Sequence, residues 1–161
     1  MKPPTALEVL LRAVDQAFDH ASWHGPSLRN SFRGLSGSEA SWRSAPGRKS
    51  IAEICVHTAY WKYAARRILT GEKRGSFPLT GTNWFAREEP YTESAWKDDL
   101  ALLDERHALW RSTVSELEPA KLGTIAKGKY TVADVVQGVA AHDLYHAGQV
   151  QLIRRMMGLS A

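Results

Sequence analysis

His142 and His146 stand four residues apart in the last long segment, Thr131 to Met157, and His57 stands in an earlier one. On a helix, that spacing sets two imidazoles one above the other on a single face. With His142 as reference and about 100° per residue, Val135, Val139, His146, Gln149 and Ile153 fall within roughly 60° of it. Gln137, Leu144, Gln151, Arg154 and Arg155 fall on the far side. The two histidines are therefore expected on a buried stripe, where a polar group must find a partner. His57 shares its stripe with Ile54, Trp61, Ala64, Ala65 and Ile68, with Lys62 and Arg66 opposite, and supplies a third imidazole. Three neutral imidazoles suit zinc, nickel or another late divalent metal, and lack the carboxylates that calcium or magnesium would require. Three protein ligands leave a position for water or substrate, as in catalytic zinc sites. Such an ion lowers the pKa of water toward ~7, or holds an incoming thiol as the more nucleophilic thiolate. Cys55 lies about 160° from His57 around the helix, so a thiol would have to arrive as a low-molecular-weight cosubstrate.

Other residues are candidates for the pocket or for support of the ligands. Glu53, one turn before His57, could accept a proton from an imidazole, although a capping role already accounts for it. Asp143 could orient a neighbouring imidazole or sit at a bundle edge or dimer contact. His24, in a Trp-His-Gly-Pro loop, could reach the metal mouth or serve only the helix connection. Trp61, Trp84, Tyr145 and Tyr60 could line a pocket or fill the core. His107 is either a fourth ligand or a histidine at the core edge. The chain has no Gly-rich phosphate loop, Ser-His-Asp arrangement or catalytic carboxylate pair.

Four long amphipathic segments must position these side chains. Thr5 to Glu8 has capping-box form and opens a helix to about residue 21, with Leu7, Leu10, Leu11, Val14 and Phe18 at helical spacing. Gly25-Pro26 breaks it, and Pro26 suits the first turn of a short helix ending near Gly34. Ser36 to Glu39 opens another turn, through Trp42, and residues 44–49 read as a loop. Ser50 to Glu53 caps the second long helix, which Gly71 ends. Residues 71–90 hold three glycines and two prolines without a sustained period, a long connection expected to fold its Phe77, Trp84 and Phe85 back over a bundle end. From Thr92 to Leu117, Trp96, Leu100, Leu103, His107, Trp110, Val114 and Leu117 mark a bundle seam. Pro119 stops it, residues 121–129 form a loop, and Thr131 to Asp134 caps the final helix, closed by Gly158. No segment reads as a strand. The expected fold is all-α, a four-helix bundle with a long connection between helices 2 and 3.

The chain has 161 residues, 21 basic and 17 acidic, a net charge of +4. Residues 1–161 are expected to form a single domain. Basic residues gather into no stripe that would track phosphates, which speaks against nucleic-acid binding. A single cysteine excludes an internal disulfide and fits a reducing compartment. With no apolar run of membrane length and no signal-peptide pattern, the expectation is a cytoplasmic protein that makes no membrane contact.

Three phrases carry a family resemblance: WHGPSL at residues 23–28, SIAEICVHTAYWKYAARRILTGE at 50–72, and YTVADVVQGVAAHDLYHAGQVQLIRR at 130–155. With a histidine mid-way along the second helix and an H-x-x-x-H pair in the fourth, the chain resembles the DinB-like (DNA-damage-inducible) four-helix-bundle superfamily over nearly its whole length. The resemblance implies that His57, His142 and His146 are metal ligands, that the protein is a homodimer, and that it is kin to transferases and isomerases that use low-molecular-weight thiols. It says nothing for DNA binding. Two function classes follow. One is a metal-dependent enzyme joining a small thiol to an electrophile, with hydrolysis as its close variant. The other is a non-catalytic metal-binding stress-response or sensor module.

Overall fold

The computed structural model describes residues 3–75, 77–87 and 89–159. Among them the helices are α1 (Ala6–Phe18), α2 (Leu28–Ser31), α3 (Gly37–Ser41), α4 (Ile51–Thr70), α5 (Glu93–Ser115) and α6 (Val132–Met156). The four long ones pack as a bundle, α4 against α5 and α6, and α1 against α5 and α6. The fold is all-α, as expected, apart from a small hairpin. Four starts are set by capping boxes, Thr5/Glu8, Ser36/Glu39, Ser50/Glu53 and Thr131/Asp134, each satisfying backbone N–H groups that a helix start leaves unpaired. Gly71 ends α4 in the left-handed conformation, φ +74°, with its N–H donating to the Arg67 carbonyl.

Local departures are small. α1 stops at Phe18 rather than 21, and α2 starts after Pro26, with Ser27 at its N-cap. Within the segment read as a loop, β1 (Ile125–Lys127) pairs antiparallel with β2 (Tyr130–Thr131). Gly128, φ +58°, makes the turn between them.

The larger departures concern polar residues. Two apolar clusters fill the bundle. One gathers Leu28, Phe32, Ile51, Ile54, Trp96, Leu103 and Val150, the other Val14, Ala65, Trp110, Val114 and Val136. Along α4, α5 and α6, Lys62, His107 and Asp143 fall between the residues given to the two clusters, so a polar layer separates them. Lys62, expected to face solvent, is fully buried, and its ammonium donates to both carboxylate oxygens of Asp143. Asp143 is correspondingly no bundle-edge residue. The buried stripe of α6 runs through Val136, Val139, Ala140, Asp143, His146, Ala147 and Val150, and is centred near Asp143. His142 lies on the flank of that stripe rather than at its middle. The first half of α4 is buried on every side, which leaves it no solvent face for a periodic pattern to reveal.

In its described residues, the connection between α4 and α5 does not cover a bundle end. Phe77 packs edge-on against Tyr60 and tilted against Tyr63, Phe85 packs against Tyr60, and Trp84 against His57, so it lies along the flank of α4. Asp99 on α5 is buried as well, accepting from Arg87 and from the Tyr91 hydroxyl.

Candidate metal centre

α4 and α6 bring His57, His142 and His146 together, and one ring nitrogen from each lies within 4.8 Å of the others. The Nε2 atoms of His57 and His142 are 3.2 Å apart, and those of His142 and His146 are 3.1 Å apart. Two nitrogens each bound to one tetrahedral zinc at its usual bond length would lie about 3.3 Å apart. The tautomers point the same way. His57 Nδ1 is 2.6 Å from the Asn83 carbonyl oxygen, which can only accept, so the proton sits on Nδ1 and Nε2 keeps its lone pair. His146 Nδ1 likewise donates to Gln149 Oε1 at 2.7 Å, leaving its Nε2 bare. Both bare nitrogens face the Nε2 of His142, which has at most one proton to share between them. Such convergence of lone pairs is an arrangement whose donor set fits a divalent cation. The group contains no carboxylate among the described residues.

The protonation states fit this chemistry. Burial first, then repulsion from His146 and His57 when they are protonated and from the Lys62 ammonium, pushes His142 down to about 3. Burial, with His57, brings His146 to about 4, and burial lowers His57 against the opposing hydrogen bond that it donates to the Asn83 carbonyl. All three are neutral at pH 7, as metal ligands must be.

Aromatic rings wall the cluster. Trp84 stacks on His57 with ring centres 3.8 Å apart and planes 9° from parallel, and meets His146 edge-on. Trp61 stands edge-on to His57 and His142, and Tyr145 edge-on to His146. Trp61 is 37% exposed and Tyr145 63% exposed, so both rings reach solvent beside the cluster.

The remaining candidates lie elsewhere or serve other ends. Glu53 is buried and caps α4. Burial opposes its charge, but hydrogen bonds from the Ser50 N–H, Lys49 and Arg43 outweigh it and hold the carboxyl below its ordinary value. Its oxygens are engaged there rather than by an imidazole. Asp143 is engaged by Lys62. His24 is exposed, bonded to Ser22 Oγ, and borders a cavity with Leu144 and Gln151 on the far side of α6 from His142. His107 stacks on Phe18 at 3.5 Å and stands outside the group. Cys55 is buried, its Sγ turned to the Asp99 carbonyl of α5 and its thiol pushed up by burial, so it offers the centre no thiolate. Two supporting residues escaped the sequence reading. Gln149 stands on the histidine face three residues after His146, a signal that was legible. Asn83 contributes only a backbone oxygen and has no side-chain signature.

No helix among the described residues is long and apolar enough to cross a membrane. No curated protein and no solved structure matches the chain. A family model of the DinB superfamily matches residues 20–150, a span that takes in all three histidines, and the chain belongs to that superfamily.

Proposed function

We propose that the chain acts as one domain that holds a divalent ion, zinc or nickel, through His57, His142 and His146. The open side of that centre then receives a low-molecular-weight thiol for transfer to an electrophile. The observation that supports this reading is the meeting of Nε2 atoms whose protons are held away on Nδ1 by Asn83 and Gln149. A bound ion would supply Lewis acidity at its open position, enough to keep a thiol, or in the hydrolytic variant a water, deprotonated near neutral pH. The chain's own part is positional. Asn83 and Gln149 fix the ring orientations, Trp84 shields the face of His57, and Trp61 and Tyr145 reach solvent beside the cluster. Thiol transfer is favoured over hydrolysis because Glu53 and Asp143, the nearby acids, are committed to Arg43, Lys49 and Lys62 and offer no proton shuttle. The reading includes a cytoplasmic homodimer, supported by a single, buried cysteine with no disulfide partner in the chain and by Tyr145, Leu152 and Met156, which α6 leaves exposed.

Purified protein is expected to carry about one divalent ion per chain, and a His57/His142/His146→Ala triple variant none. Equal metal content in the two would end the reading. Cobalt-substituted protein titrated with physiological thiols should develop a thiolate-to-metal charge-transfer band. Silence with every thiol would favour the hydrolytic variant or a non-catalytic module.

A further inference from the structure

A groove of about 250 Å³ runs beside the cluster between α4 and α6, lined by Trp61, Ala65, Ile68, Val135, Gly138 and Val139, with His142 at its end. Apart from His142 and the Trp61 indole N–H, no lining side chain carries a polar atom. The floor residues Ala65 and Val139 are buried in the second apolar cluster, so the groove is a continuation of the core left open to the outside. Gly138 stands on its wall. Glycine weakens a helix interior, and here no close approach demands it, since an added Cβ would meet no atom within 4 Å. A larger side chain there has free space at the edge of the groove.

We propose that this groove is the subsite for an uncharged alkyl or aryl arm of the molecule whose reacting atom is held at the three-histidine centre. Charged and hydrogen-bonding arms are disfavoured because the walls would strip their water without replacing its hydrogen bonds. The molecule held at the centre thereby carries an apolar arm beside its metal-seeking group, and this rests on the metal reading proposed above.

The test uses the full-length cobalt-loaded protein and a series of n-alkyl hydroxamates from acetohydroxamate to octanohydroxamate, followed by the cobalt d–d absorption. Each added methylene that enters the groove should tighten binding about two- to fourfold, until the groove is full. Gly138→Leu, which sets a large apolar side chain on the groove's wall, should bind acetohydroxamate as the wild type does and lose the dependence on chain length. Ile68→Gln, a second variant at the groove wall, should flatten the dependence in the same way. Affinity independent of tail length in the wild type, or an undiminished gradient in both variants, overturns the subsite while leaving the metal reading standing. Failure to bind cobalt, or bound cobalt that acetohydroxamate does not perturb, overturns the open-centre reading itself and the subsite with it.

Discussion

Asp143→Leu should be among the most damaging single substitutions in this chain, although Asp143 touches no ligand imidazole. The change leaves the Lys62 ammonium at 0% exposure, above the Phe18 ring and between two apolar clusters, with no carboxylate beside it. Burial already presses both partners toward their neutral forms, lowering Lys62 and raising Asp143, so each charge persists only through the other. Removing one member of such a pair costs about 3–5 kcal/mol. That is a large share of a domain stability of roughly 5–15 kcal/mol. At roughly 2–4 °C per kcal/mol for a chain of this size, the midpoint should fall by about 6–20 °C. The double variant Lys62→Met/Asp143→Leu removes both charges and keeps nearly the same number of side-chain heavy atoms, and should recover most of the loss or exceed the wild type by about 1–4 kcal/mol. The assay is urea and thermal unfolding of the two single variants, the double and the wild type, all metal-free in chelator, so that altered metal binding cannot contribute. A drop below about 1 kcal/mol for Asp143→Leu, or a double variant no better than the singles, would refute the buried-pair account.

Two further outcomes are expected. Gln149→Ala deprives His146 Nδ1 of its acceptor, and should weaken metal affinity about 10–100-fold in chelator competition with helix content unchanged, while Gln149→Glu restores it; unaltered affinity in the alanine variant would count against this orienting role. His107 is held down to about 2, first by burial and then by Lys62 and Arg111, whereas an unfolded imidazole titrates near 6.5. The unfolded chain therefore binds this proton first, so the stability present above pH 6.5 declines as pH falls toward 2, by about 1.4 kcal/mol per unit. His107→Leu should remove that share of the acid sensitivity, about 2–3 kcal/mol between pH 6.5 and 4.5. Parallel stability curves for His107→Leu and the wild type would show that the imidazole plays no part.

The parts of this molecule set by local chemistry were legible before the structure. Thr5, Ser50 and Thr131 announce their helices because a capping box needs only four consecutive residues, and the His142/His146 pair needs only one turn. The wheel around His57 failed at Lys62, because a lysine read alone belongs in water, and its partner Asp143 stands 81 residues away. The same blindness hid Asp99, whose burial makes sense only once Arg87 and Tyr91 are brought to it. Asp143 also displaced the centre of the buried stripe on α6, so His142 moved from the middle to the flank, where a groove can reach it. The hairpin at 125–131 was missed because strands of three and two residues are too short for alternation to show.

One of the three imidazoles is steered from outside the helical framework. The carbonyl of Asn83 and the indole of Trp84 both belong to a stretch without regular structure, secured to α4 mainly by aromatic contacts. Peeling that stretch away for an instant would free the His57 ring to spin about its χ angles while every long helix stays intact. For the ion proposed above, the grip would then slacken through excursions of this segment rather than through unfolding of the bundle.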